Sequence, residues 1–289
     1  MNIVKTVSAV LGVFLSVSAS LHAEPAAPRK VLVVMSGADH LSLREGGRYK
    51  TGYFLNELAV PLKQLIDHGY VPVFASPDGK TPVMDENSNN PMFFAGDETK
   101  RQEALTLVRS QQGLGHPQKL SAVLKEGVDG FAGVFIPGGH APMEDLSRDK
   151  TLGHILMAFH EEQKPTGIIC HGPVALLSAL PDPGAFQQAI IDGDTTHQAK
   201  LIKGWSYSGY RLTAFSTAEE QQIEGAGKQL GGNVRFYAAD ALAKAGARVE
   251  TGEAWKSKVV VDRELVTGQQ PFSDESFGRA FIARLEQSK

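Results

Sequence analysis

The chain has 289 residues, of which 42% are hydrophobic, and its formal net charge is −3. This length and apolar share are enough for one large domain with a sizeable core. Because the net charge is small and the chain carries no long block of lysine and arginine, the sequence argues against nucleic acid as a partner.

The first residues have the composition of an export signal. Lys5 precedes an apolar run over residues 7–17, and small and then polar residues follow. The run is shorter than the roughly 20 residues that a membrane span needs. The pattern therefore predicts a signal peptide over residues 1–23, a periplasmic or secreted protein, and no membrane attachment after cleavage.

Strand and helix patterns alternate along the remaining chain. Continuous apolar runs predict buried strands at residues 31–35, 71–75, 132–136, 166–169 and 259–261. Residues 211–215 predict a further strand, and residues 262–268 complete a hairpin with 259–261. Apolar residues at helical spacing predict helices at about 52–68, 100–109, 152–159, 174–180, 239–245 and 276–285.

This alternation predicts an α/β fold, a flavodoxin-like, doubly wound and mostly parallel sheet with helices on both faces. Residues 24–289 show no linker that would separate two domains, so we expect a single domain. The stretch of about residues 80–118 is polar and broken by prolines, which predicts a lid-like insertion over the sheet.

The only cysteine, Cys170, lies where a predicted strand turns into a helix. Residues 167–173 read as strand, sharp turn and helix, with glycines on both sides, which is typical of a nucleophile elbow. The helix that follows is expected to lower the thiol pKa through its dipole. The alternative is a buried cysteine that only ends a core strand.

Two further groups are predicted to lie near this cysteine. Gly138 and Gly139 end the neighbouring strand, where their N–H groups and that of His171 are candidate donors to an oxyanion. Glu57 lies in the first turns of a helix near the strand ends. A half-buried carboxyl there would have a raised pKa and could shuttle a proton, whereas a solvated surface glutamate is the alternative.

Together these segments resemble the ThiJ/PfpI superfamily, which shares the fold of class I glutamine amidotransferases, and in particular its glyoxalase III and stress-chaperone branch. The motifs that carry the resemblance are Thr51-Gly52-Tyr53, Phe74-Ala75-Ser76-Pro77-Asp78-Gly79, Pro137-Gly138-Gly139-His140, Cys170-His171-Gly172-Pro173 and Thr267-Gly268-Gln269-Gln270-Pro271. The resemblance covers nearly the whole chain after residue 30.

The resemblance implies site residues that spacing alone does not give. It implies a nucleophile at Cys170, its histidine partner at His171, and an acid at Glu57 that contacts the sulfur. The third member of the triad matches Glu220, with Glu219 beside it as the alternative. The resemblance also implies a homodimer that uses no cofactor. Independently of it, no spacing of the histidines in the chain suggests a metal site.

The function expected from these residues is a cofactor-independent, cysteine-dependent enzyme that acts on small reactive aldehydes. Such a lyase would convert methylglyoxal to lactate without glutathione, or would repair glycated amines as a deglycase. The alternatives are a cysteine peptidase or amidase, a thiol redox sensor, and a holdase chaperone of the stress response. The chaperone would bind unfolded proteins through apolar surface, and it alone would survive the loss of Cys170.

Overall fold

A computed structural model describes Met1 and residues 29–288 of the chain. Apart from Met1, the predicted signal peptide lies outside the described residues. None of the helices described is both long and apolar enough to cross a membrane.

The strands of the described chain form one large sheet and two small ones. They are β1 (Arg29–Val34), β2 (His40–Ser42), β3 (Arg48–Lys50), β4 (Tyr70–Ser76), β5 (Gln118–Lys119), β6 (Phe131–Ile136), β7 (Thr166–Ile169), β8 (Arg211–Leu212), β9 (Arg248–Val249), β10 (Val259–Asp262) and β11 (Leu265–Gly268). The large sheet has seven strands in the order β10-β11-β7-β6-β1-β4-β5. All its neighbours pair in parallel except the antiparallel edge hairpin of β10 and β11.

The α-helices cover both faces of this sheet. They are α1 (Leu55–Asp67), α2 (Glu98–Ser110), α3 (Gln112–Gly115), α4 (Leu120–Glu126), α5 (Lys150–Glu161), α6 (Pro183–Asp192), α7 (Thr195–Leu201), α8 (Thr217–Ile223), α9 (Ala238–Ala245) and α10 (Asp274–Gln287). Short 3₁₀-helices lie at Glu86–Ser88, Pro91–Phe94, Ala141–Met143, Leu146–Arg148, Gly172–Ala179 and Pro271–Ser273.

The core has two halves, one on each face of the sheet. Successive side chains of β1 alternate between them because strand residues point to opposite faces. Val31 and Val33 pack in the half that contains α1 and α10, whereas Leu32 and Val34 pack in the half that contains α4 and α5. This arrangement confirms the predicted α/β fold with a mostly parallel sheet and helices on both faces.

Two local predictions are corrected by the structure. The strand expected over residues 211–215 is only Arg211–Leu212 and pairs with β9 outside the large sheet. The chain leaves the ladder there because Thr213 donates its N–H to the Thr267 side chain. The helix expected from Val174 is a 3₁₀-helix, Gly172–Ala179, all of whose residues are buried, so packing on every side determines its conformation.

The stretch over residues 80–118, which the sequence predicts as a lid-like insertion, has regular secondary structure of its own. It contains α2, α3 and two 3₁₀-helices, and its end forms β5, the edge strand of the large sheet. One of these 3₁₀-helices, Pro91–Phe94, reaches the carboxyl ends of the strands, where it borders the site described below.

The sheet register brings two sequence motifs together. Strands β6 and β7 are parallel neighbours, with Ile136 paired to Ile168. The residues that follow each strand therefore emerge side by side at the carboxyl edge, which is where parallel α/β sheets bind ligands. Gly138 and Gly139 follow β6, and Cys170 and His171 follow β7.

Candidate active site

Cys170 occupies a strained turn directly after β7. Its φ of 64° lies in the left-handed region that non-glycine residues seldom adopt. Two backbone hydrogen bonds hold it there. Its N–H donates to the Gly268 carbonyl at 2.9 Å, and its carbonyl accepts from the Phe215 N–H at 2.8 Å. Strain of this kind clusters at functional sites, and the turn has the strand-to-helix geometry of a nucleophile elbow.

A row of hydrogen bonds joins this cysteine to two histidines and a glutamate. The Cys170 sulfur lies 3.3 Å from His171 Nδ1, and His171 Nε2 lies 2.7 Å from one oxygen of Glu220. The other Glu220 oxygen lies 2.8 Å from His140 Nε2. Because the Glu220 carboxylate accepts from the Nε2–H of His171, the Nδ1 of that ring is left to accept the thiol proton.

His140 is the member of this row that the sequence analysis did not assign to the site. Its position directly after Gly138 and Gly139, at the end of β6, was the available signal. Glu219, the alternative acid, does not contact either histidine. Its carboxylate instead accepts hydrogen bonds from the Ser216 hydroxyl and the Gln269 side chain, and it completes a capping box on α8.

Burial sets the charge states of the histidines and the glutamate. Burial and the neighbouring His140 lower the pKa of His171 to about 4, and Glu220 offsets only part of this shift. Burial also opposes the charged form of His140, but Glu220 outweighs it and raises the pKa of that ring. The two histidines overcome the burial of Glu220 and hold its pKa below its usual range. His171 is therefore neutral at pH 7 and able to act as a base.

The expectation of a lowered thiol pKa at Cys170 is wrong. Burial raises the pKa of this thiol well above its usual value, and the Glu57 carboxyl raises it further. Hydrogen bonds from the backbone N–H groups of Gly139 and His171 lower the pKa, but by less. The helix after the cysteine is a short 3₁₀-helix, and its N-terminal groups do not overcome the loss of water around the sulfur.

Glu57 is fully buried, which excludes the alternative of a solvated surface glutamate. Helix α1 brings it to the thiol, since the N–H of Phe54 donates to the Gly138 carbonyl at 3.3 Å at the start of that helix. Neither Glu57 oxygen has a hydrogen-bond partner of good geometry. Burial raises the pKa of Glu57 to about 8, although the nearby Cys170 thiol and Gly139 N–H favour the charged form and lower it in part. The carboxyl therefore carries a proton at pH 7.

Gly138 allows the glutamate and the cysteine to come this close. A Cβ atom at this position would lie 2.3 Å from Glu57 Oε2 and 2.4 Å from Cys170 Cβ. Gly139 has a φ of 95° and packs against the Gly52 carbonyl, so a side chain there would also be excluded. The glycine pair thus lets β6, β7 and α1 converge on one point.

Three side chains of the site have the types that bind metals. His140, His171 and Glu220 place possible ligand atoms within 4.8 Å of one another. The hydrogen bonds between the histidine nitrogens and the carboxylate oxygens already satisfy these atoms. The arrangement is therefore accounted for as a proton-holding network without an ion.

Comparison with known proteins agrees with this fold. A model of the family described as "ThiJ/PfpI family-like" matches residues 49–215. The chain belongs to this ThiJ/PfpI-like family. It is 27% identical over 259 residues to the protein/nucleic acid deglycase HchA of Staphylococcus aureus strain Newman, an alignment that covers 88% of this chain and 78% of the relative.

Solved structures show the same fold. Glyoxalase III from Candida albicans superposes with a TM-score of 0.67 at 22% identity, covering 89% of this chain and 97% of that one. The Rapid Encystment Protein of Francisella tularensis gives a TM-score of 0.67 at 21% identity, with 89% and 99% covered.

Replacement of Gly138 by alanine should destabilise the fold by steric overlap inside the site. Because the added Cβ would overlap Glu57 and Cys170, we expect Gly138→Ala to lower the free energy of unfolding in urea by about 1–3 kcal/mol. Gly130→Ala is the matched control, since a Cβ at Gly130 meets nothing within 4 Å. Equal stability of the two variants would contradict the close approach at Gly138.

Glu57 should make stability fall as pH rises. Its folded-state pKa of about 8 exceeds the ordinary value of 4.5, so between these pH values the folded chain holds a proton that the unfolded chain has released. Its contribution to the free energy of unfolding is full below pH 4.5 and is lost as pH rises through 8, a loss of about 5 kcal/mol.

Urea unfolding of the wild type and Glu57→Gln at pH 5 and pH 9 measures this loss. The wild type should lose stability relative to Glu57→Gln at the higher pH. Glu103→Gln, a change at an exposed glutamate, should follow the wild type. Parallel pH dependence in Glu57→Gln and the wild type would show that the buried carboxyl does not hold its proton.

Proposed function

We propose that this protein is a cofactor-independent lyase of 2-oxoaldehydes, which uses Cys170 as its nucleophile and converts methylglyoxal and water to lactate. The observation that carries the proposal is the buried Glu57 carboxyl, which keeps its proton at neutral pH beside the cysteine. Isomerising an oxoaldehyde requires proton transfer between adjacent carbons and oxygens, so it needs two groups that exchange protons at the reacting atoms. His171 and Glu57 are two such groups.

The first step joins the thiol to the aldehyde. The sulfur forms a bond to the aldehyde carbon while His171 Nδ1 accepts the thiol proton, and the electron pair of the C=O bond moves to oxygen. The N–H groups of Gly139 and His171, which lower the pKa of the thiol in the resting site, would donate to this oxygen. His171 then returns the proton to the oxygen, which gives a hemithioacetal.

The second step moves hydrogen between the two carbons. His171 removes the proton on the former aldehyde carbon, the electron pair forms a carbon–carbon double bond, and Glu57 protonates the oxygen of the second carbon. Glu57 then takes the proton of the first hydroxyl as that carbonyl re-forms, and His171 protonates the second carbon. The product is a thioester of a 2-hydroxy acid, with both residues restored. Water adds to the thioester, the carbon–sulfur bond breaks, and the thiol regains its proton.

Glu220 would stabilise the imidazolium that forms on His171 at each turn of this cycle. Its carboxylate accepts a hydrogen bond from Nε2–H, with the nitrogen and the oxygen 2.7 Å apart, and so keeps the ring in the orientation that presents Nδ1 to the sulfur.

The Staphylococcus relative is named a deglycase. The same thiol could attack the aldehyde carbon of a glycated amine, so deglycase activity belongs to this proposal. We also propose that the protein is exported by its N-terminal signal peptide and that it forms a homodimer.

A cysteine peptidase or amidase is the second candidate, because a Cys–His–Glu row also serves acyl transfer. That chemistry does not need a protonated carboxyl beside the sulfur. The buried Glu57 therefore favours the aldehyde lyase over the hydrolase.

Glutathione-free consumption of methylglyoxal tests the proposal. The wild type should form lactate, Cys170→Ala should lose roughly 1,000-fold or more of kcat/KM, and Glu57→Gln roughly 100-fold. Glu103→Gln should match the wild type, because its side chain is exposed and outside the site. A wild type with a free thiol that makes no lactate from methylglyoxal, but cleaves a peptide or amide through Cys170, would replace the proposal by the hydrolase.

The pH profile of kcat/KM should be bell-shaped. Protonation of His171, whose pKa is about 4, removes the base and gives the acid limb. Ionisation of Glu57, whose pKa is about 8, removes the acid and gives the alkaline limb. Steady-state rates with methylglyoxal between pH 4 and pH 9 check both limbs. A rate that keeps rising through pH 9 would instead point to a preformed thiolate as the active species.

A further inference from the structure

The cavity above Cys170 is much larger than methylglyoxal requires. Its volume is about 420 Å³. A three-carbon dicarbonyl compound fills roughly 100 Å³, or about three times the share of a water molecule in the liquid. Cavities of about 300–1,000 Å³ are typical of sites for much larger ligands. Most of this cavity would therefore remain unfilled when methylglyoxal is bound.

Aromatic rings form the walls of this space. Phe93 contacts Phe54 edge-on, with ring centroids 4.7 Å apart, and lies 5.8 Å from Phe272. Phe215 stacks on His171 at 4.3 Å and meets Trp255 edge-on at 5.8 Å. These spacings are those of aromatic rings in contact with one another, so the rings form continuous apolar walls against which a further ring can pack. The walls therefore suit a flat apolar group next to the reacting carbons.

Unpaired charged side chains are missing from the lining that the structure describes, since His140, whose pKa is raised, is paired with Glu220. Besides the aromatic rings, the two histidines and Cys170, the side chains there include Met92, Ile223 and Gln229, but no lysine, arginine, aspartate or glutamate. An ionised substrate group would lose its water without gaining an unpaired partner of opposite charge. The lining thus selects neutral substrates.

Trp255 is held in place at a conformational cost. Its φ of 61° lies in the left-handed region, which is unfavourable for a bulky side chain. Its N–H donates to the buried Glu219 at 2.8 Å, and its indole N–H donates to Gln222 at 2.7 Å. Glu219 is itself fixed by hydrogen bonds from Ser216 and Gln269. These bonds fix the indole ring at the cavity wall. The proposed thiol chemistry does not use this ring.

From this cavity we infer that the preferred substrates are neutral 2-oxoaldehydes bearing an aromatic group, and that Trp255 determines this specificity by packing against that group. The inference rests on the proposed function for its chemistry, since the same thiol attacks the same aldehyde carbon. Net conversion adds water to an aryl oxoaldehyde and gives an aryl 2-hydroxy acid, with no external oxidant or reductant.

The test compares phenylglyoxal with methylglyoxal. For the wild type, kcat/KM with phenylglyoxal should exceed that with methylglyoxal by about 10-fold or more. Trp255→Ala should remove about 10-fold of this preference, mainly through KM for phenylglyoxal, and change methylglyoxal turnover by less than about 3-fold. Trp255→Phe, which keeps a ring, should retain most of the preference. Val261→Ala, a change at an exposed apolar residue, is the control.

Calorimetric titration with acetophenone and acetone separates this inference from the proposed function. Both probes lack an aldehyde, so they report on the cavity alone. Acetophenone should bind the wild type, and Trp255→Ala should weaken that binding about 10-fold, whereas acetone should not bind measurably. If neither aldehyde is turned over, the proposed function fails, but the aryl site still stands when acetophenone binds in this pattern.

Three results would overturn the inference. The first is a wild type that prefers methylglyoxal or turns both aldehydes over equally well. The second is a Trp255→Ala variant that loses both activities in equal proportion, since this would assign Trp255 a structural role. The third is the absence of acetophenone binding to the wild type.

Discussion

The burial of Cys170 in a left-handed turn is the constraint on which the site depends. The turn fixes the sulfur at the carboxyl edge of the sheet, but it also removes the thiol from water. In such surroundings an ionised group costs free energy unless a partner of opposite charge or a hydrogen-bond donor faces it. Each titratable neighbour therefore takes the charge state that its own partners allow. Glu220 is ionised between two histidines, whereas Glu57 keeps its proton.

Competition between burial and backbone donors decides the charge state of the Cys170 thiol. The N–H groups of Gly139 and His171 favour a thiolate, but burial and Glu57 outweigh them. The resting site therefore holds a thiol next to a neutral imidazole. In the proposed reaction the thiolate arises only as the sulfur attacks, when His171 takes its proton. Amides directed at the sulfur are then free to serve the oxygen on which charge develops, which is where such donors contribute most to rate.

The sequence predicted the fold and part of the site for clear physical reasons. Apolar runs and helical spacing report burial on one or two faces, so the parallel sheet and its covering helices followed from them. Cys170 and the glycines after β6 were found because a sharp turn leaves small residues in the sequence. The pairing of His140 with Glu220 joins residues 80 positions apart, and no local pattern encodes it. The thiol pKa was mispredicted because local sequence shows a helix start but not the depth of burial.

The apolar cavity and the buried proton network together favour binding of the proposed substrate and release of the proposed product. A neutral oxoaldehyde carries no charge that would have to leave water, and its reacting oxygens meet the site's donors only beside Cys170. The hydroxy acid that leaves is an anion at neutral pH. Within the described lining it finds no lysine or arginine, and the carboxylate of Glu220 lies just behind His171. Water solvates this anion better than the cavity does, which favours release of the proposed product.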